Sequence, residues 1–393
     1  MSAARAAVSA PAREFAPAKR GALTIGVVAL GACIVAALLG SAPVFFRAYL
    51  VGYLLWLGVA AGSLGLLMLY HLVGGLWGYP IRRPLEAAAG TLPSLFLLFL
   101  PLLAGLHHLY PWTRPGALAD ELLRHKSVYL NVPFFTGRAV FYFAVWSLLA
   151  GLLRRWSAAE DRDGRPAASE KMRRLSGPGL AIYIVTMTFA GFDWVMSLHP
   201  LWWSTMLGMW MVVGQGLAAL SFIILTECLL ARRPGYAAEV TPKRVQDLGN
   251  LTLMFVMLWA YLSFSQFLII WSGNLPEEIE WYLPRVRTSW VYVAGALLLL
   301  HFAVPFLLLL MRTVKRSASL LAGLAAALLV MRLVDLLWTV VPAFEPRGLR
   351  LHWIDLAAPV GLGGLWVALF LGRLGRRPLL APHDVRLKAE TDD

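Results

Sequence analysis

In a chain of 393 residues, 59% apolar side chains, only 15% charged ones and a mean hydropathy of +0.67 exclude an ordinary soluble domain, which is about half apolar and about a quarter charged. The formal charge of +13 does not signal nucleic acid, because the cations lie in short stretches between apolar runs, where they set topology. Cys33 and Cys228 both fall inside such runs and form no CxxC, CxxCH or other haem or iron–sulfur spacing.

Residues 1–21 are polar and Ala/Pro-rich and read as a tail. The apolar run after Lys19 and Arg20 is long enough to span a membrane and is followed by no A-x-A site, so an anchor is expected rather than a cleaved leader. Ten spans follow in order, at residues 22–40, 45–70, 88–109, 134–153, 179–197, 202–230, 248–271, 288–311, 318–341 and 353–372. Residues 373–393 form a second tail. The predicted fold is therefore all-α and polytopic, with a transmembrane domain over 22–372. Of the 35 basic residues, 25 fall on the side that carries both termini, which predicts cytoplasmic termini. Ser157 to Ser176 is the only long, highly charged connection, and it is expected to be a hinge loop between the halves.

The seventh span organises the rest. Leu248 to Trp271 would run about 36 Å as a helix, against about 30 Å of hydrocarbon. Its second half carries Ser263, Ser265 and Gln266, so one face must look into protein. An acidic, aromatic loop from Asn274 to Tyr282 follows.

A short internal repeat divides the chain. Span five ends GFDWVMSLHP and span nine ends RLVDLLWTVVP, with Pro200 and Pro342 each seven residues after Asp193 and Asp335. Two four-helix bundles, spans 2–5 and 6–9, flanked by spans 1 and 10, would produce this pattern.

A charge near the bilayer centre costs at least about 2.5–3.5 kcal/mol on insertion scales and must be paired, solvated or functional. Arg332 and Asp335, spaced i, i+3, share a helix face and can neutralise each other; such a pair pins two bundles together or also carries protons. His301 lies deep in span eight, four residues before Pro305, which leaves the carbonyl of residue 301 without its helical donor. Asp355 and Pro359 repeat that arrangement in span ten. Glu227, Gln215, His301, Asp335 and Asp193 lie at staggered depths that a proton path could use. Haem b would need paired histidines at matching depth, and only His301 is deep. There is no phosphate-binding glycine loop, HExxH helix or GxSxG elbow, so neither a metal nor a nucleotide site is expected.

The segments Leu248 to Arg285, Gly191 to Gly208, Lys126 to Phe143, HFAVPF (His301 to Phe306), RLVDLLWTVVPAF (Arg332 to Phe344) and WIDLAAPVGLGGLW (Trp353 to Trp366) closely resemble the NrfD-like, polysulfide-reductase-like membrane subunits. Within that family the likeness is to the second quinone-binding subunit type of alternative complex III, a quinol:cytochrome c oxidoreductase, and it covers about residues 20–375. The resemblance implies ten helices in two bundles, no redox cofactor in this chain, and quinone or quinol as its small molecule. It also implies a bacterial inner membrane and, as partners, a homologous ten-helix quinol-oxidising subunit, an iron–sulfur subunit, multihaem and monohaem cytochrome c subunits, small membrane subunits and a terminal oxidase. Haems and iron–sulfur clusters would sit in those partners. Asp193, His301, Arg332, Asp335 and Asp355 match the family's membrane-embedded polar motifs, implying a proton-conducting or scaffold role. Two alternatives stay open: a purely structural membrane anchor and a secondary transporter.

Overall fold

The computed structural model describes residues 12–164, 166–381 and 383–384. Among them the regular secondary structure is helical, with no strand. Nine helical stretches there are long and apolar enough to cross a membrane, the first being Arg13–Val73. That stretch is two spans. Helix α1, Ala12–Ala36, passes through a π-turn, Ala37–Ser41, into α2, Ala42–Val73. The reversal falls at Gly40, whose φ of 110° is open to glycine and costly for any other residue, and Pro43 then starts α2 with a pre-set φ. The remaining spans are α3 (Arg82–Ala104), α4 (Val132–Asp163), α5 (Pro166–Trp194), α6 (Leu207–Leu230), α7 (Pro242–Gly273), α8 (Trp290–Leu310), α9 (Ala318–Val340) and α10 (Ile354–Leu374). Side-chain caps fix several starts: Asn131 accepts from Phe134 N at 2.9 Å before α4, and Ser204 accepts from Met206 N and Leu207 N at 3.2 Å before α6.

These spans form the expected two bundles. Helix α2 packs with α3 and α5, and α4 closes the first bundle against α3 and α5. Helix α6 packs with α7 and α9, and α8 closes the second bundle against α7 and α9. The bundles meet along α2 and α6, where a methyl built on Gly62 would stand 2.2 Å from the Gln215 carbonyl oxygen. Helix α2 is buried on nearly every face, which explains why it shows no apolar stripe. Helices α1 and α10 run antiparallel, with Gly26 against Gly361 and Gly364 and Lys19 over Gly372. The amino-terminal end of α1 and the carboxyl-terminal end of α10 therefore lie at the same end of the molecule.

One connection differs from its expectation. The charged stretch 157–176 is almost wholly helical: α4 continues to Asp163, Gly164 turns with φ 61°, and α5 begins at Pro166. Charged residues need not end a helix once it leaves the membrane, since Glu170 pairs with Arg173 and Arg174 one turn on. The inner ends of α3 and α4 are also tied together there, Arg82 and Arg83 reaching Glu86, Ser157, Glu160 and Asp161.

Candidate functional site

The second bundle holds a group of buried polar atoms beside an open space. Arg332 and Asp335 pair on α9 as their spacing requires. The guanidinium has room because Gly214 of α6 offers no side chain; a methyl there would stand 2.2 Å from Arg332 Nη1. Trp259 of α7 donates its indole N–H to Asp335 Oδ2 at 3.2 Å. The edge-to-face partner of that indole is His301, with ring centroids 4.4 Å apart and planes at 87°. His301 is delivered by a π-turn, Leu297–Ala303, just before Pro305. A proline that frees a carbonyl and a widened turn that absorbs the extra residue are two parts of one distortion.

Beside this group lies a cavity of about 730 Å³, walled by α6, α7, α8 and α9 and by the loop around Tyr282. Its walls are aromatic: Trp210, Trp259, Phe264, Phe267, Phe302 and Trp338. Five residues that line it carry a buried polar atom with no partner among the described residues, namely Trp210 Nε1, Ser263 Oγ, Gln266 Nε2, Asp335 Oδ1 and Trp338 Nε1. Gln266 is held in place from its other end, where Ser204 donates to its Oε1 at 2.6 Å. On the membrane-facing side the cavity is bounded by exposed Tyr261, Phe264 and Leu298. The chamber is thus within the usual size of a small-molecule site, apolar in its walls, polar at a few points, and open toward lipid.

Directly outside it, Arg285 is fully buried and, among the described residues, pairs with no acid. It donates to Trp338 O at 3.1 Å, Thr339 O at 2.7 Å and Trp281 O, and lies 3.4 Å over the Trp281 ring. Burial pushes its guanidinium well below the usual arginine value. It also acts on His199, whose pKa burial first and the Arg285 charge second bring down to about 4.

The remaining candidates do not join this group. Asp193 is saturated in the first bundle, accepting from Arg138 at 2.9 and 2.8 Å and from Tyr142 at 2.9 Å. Asp355 is held by Arg47 at 3.2 and 3.0 Å and by His352 N at 2.8 Å. Gln215 accepts from Tyr183 at 2.9 Å and faces α2, on the other side of α6 from Arg332. Glu227 is buried near the opposite end of α6, within electrostatic reach of Arg244, and its Oε1 has no hydrogen-bond partner among the described residues. Arg332, Asp335 and His301 are therefore gathered, whereas Asp193, Gln215, Glu227 and Asp355 occupy four separate places.

The sequence reading flagged Ser263 and Gln266 but missed Trp259, Arg47 and Arg285. An unpaired acid such as Asp355 does announce that a cation must exist, though not that it is Arg47, 308 residues away. Trp259 had no signal, since one more aromatic in an apolar span is unremarkable. No family model matches the sequence, and no curated protein is similar to it at a significant level.

Proposed function

We propose that the chain is an integral membrane subunit of a respiratory quinol:cytochrome c oxidoreductase of the alternative complex III type, and that its second-bundle cavity receives the ring of a membrane quinone or quinol. The observation that carries this reading is the cavity itself: aromatic walls that suit a flat ring, an opening toward lipid that suits a long apolar tail, and Asp335 at its floor. The motif resemblance from Lys126 to Trp366 supports the same assignment. In this reading Asp335 Oδ1 accepts a hydrogen bond from one ring hydroxyl, Arg332 and Trp259 hold the carboxylate in place, and Gln266 Nε2 or Ser263 Oγ binds the other ring oxygen. On oxidation the quinol's two electrons would pass to haem and iron–sulfur centres in partner subunits and its two protons to water. The membrane is the bacterial inner membrane, with both termini cytoplasmic.

A purely structural anchor is the second reading, favoured by the saturated Asp193–Arg138 and Asp355–Arg47 pairs. Gly295 separates the two, because it lines the cavity and a methyl built on it meets nothing within 4 Å. Gly295→Leu adds a branched side chain at a cavity-lining position whose Cβ has open space, and replaces a poor helix former. The tagged chain and its variant are purified from native membranes in mild detergent, and haem, extracted quinone and quinol:cytochrome c reductase activity are measured. The proposal expects c-type haem with both, but quinone content and turnover at least about tenfold lower in Gly295→Leu. Equal quinone and turnover would leave the anchor reading. Purification without c-type haem would remove the respiratory assignment.

A further inference from the structure

The end of the molecule that carries both termini has a second feature, unrelated to the cavity. Where α4 leaves the membrane it presents Arg154, and where α10 ends it presents Arg373, Arg376 and Arg377. These two ends touch: Arg377 Nη2 donates to the Arg154 carbonyl oxygen at 3.2 Å. Helix α1 adds a fifth cation, since Lys19 lies over Gly372, its Nζ 3.5 Å from where a methyl would be.

Cations outnumber acids in this cluster among the described residues. Among the described residues, Arg154, Arg373 and Arg376 pair with no carboxylate. The acid facing the group is Glu86, and it is already engaged by Arg82 and Arg83 and stands 3.7 Å from Arg377 Nη1. Arg377 Nη1 is buried and makes no hydrogen bond. Arg154 and Arg373 are each part-buried; Arg154 lies within electrostatic reach of Arg377, Glu86 and Arg376, and Arg373 within reach of Arg154 and Arg376.

Concentrating like charges costs free energy unless an anion neutralises them. Guanidinium forks match phosphate oxygens in geometry as well as in charge. The position matters equally: the group sits at the ends of two spans, and basic clusters beside span ends suit anionic lipid headgroups. We infer that Arg154, Arg373, Arg376, Arg377 and Lys19 form a binding site for the phosphate of an anionic phospholipid, whose acyl chains lie along α4 and α10.

The test uses the full-length chain, exchanged into nanodiscs of phosphatidylglycerol with phosphatidylcholine or of phosphatidylcholine alone, with melting temperature and retained lipid by native mass spectrometry as readouts. Wild type is expected to melt several degrees higher with phosphatidylglycerol and to retain it through delipidation. Arg373→Gln with Arg376→Gln should abolish that difference and reduce retention at least about tenfold, whereas Arg373→Lys with Arg376→Lys should restore part of it. Arg376 is exposed, so Arg376→Gln alone keeps the experiment readable if the double variant does not fold. Millimolar inorganic phosphate in phosphatidylcholine discs is the second arm. Full stabilisation by phosphate alone would overturn the lipid assignment, as would equal melting temperatures in the two lipids.

Discussion

Arg285 shows how this chain tolerates a buried cation that pairs with no acid among the described residues. Its fork takes up carbonyl oxygens of Trp338 and Thr339 at the carboxyl-terminal turn of α9, where backbone acceptors are left over and the helix dipole is negative. A lysine keeps the charge and loses the fork. Arg285→Lys is therefore expected to lower stability by at least about 2 kcal/mol, read as a fall in melting temperature in detergent. His199 responds to the same charge. Its folded pKa of about 4 lies below the ordinary histidine value, so between about pH 4 and about pH 6.5 the unfolded chain binds the extra proton. The stability this contributes is complete above about pH 6.5 and is lost as pH falls through about 4. His199→Gln should flatten the melting temperature over that window; an unchanged acid limb would place the titration elsewhere.

At the scale of the element, apolar length and glycine placement do different work. Ten spans were legible because two dozen apolar residues in a row have few other uses. The seam between α2 and α6 was not legible, because α2 is apolar on all sides and only contact shows which glycines face a neighbour. Gly62→Ala forces a methyl against the Gln215 backbone and should cost about 1–3 kcal/mol. Gly151→Ala, in α4 with nothing within 4 Å, should be neutral or slightly stabilising, and thermal unfolding of the pair separates packing from helix propensity. The candidate site was half legible for a similar reason. Arg332 and Asp335 share one helix, so spacing alone pairs them, whereas the indole of Trp259 arrives from another helix 76 residues away. Depth along the chain placed Asp193, Gln215 and Glu227 in a series that their side chains do not form, since depth carries no information about which way a helix is turned.

Across the whole molecule the two bundles use the same short pattern, an Asp, a Trp and a Pro near the end of their last helix, to opposite effect. In the first, Asp193 receives Arg138 and Tyr142 from the neighbouring α4, so that both its carboxylate oxygens are already engaged. In the second, the corresponding entrance of α8 sends Arg285 to backbone carbonyls instead, and Asp335 must rely on Arg332 of its own helix. One carboxylate oxygen is then left over beside a chamber. This asymmetry predicts a crossed pair of outcomes. Asp193→Asn removes the anion from an arginine that is mostly buried and should cost about 3 kcal/mol, without changing the quinone retained by molecules that remain folded. Gly295→Leu should do the reverse, preserving the melting temperature and losing the quinone. Measuring both quantities on both variants gives four results. If Asp193→Asn lost quinone at unchanged stability, the first bundle would hold a ligand site of its own and the division into a sealed half and an open half would fail.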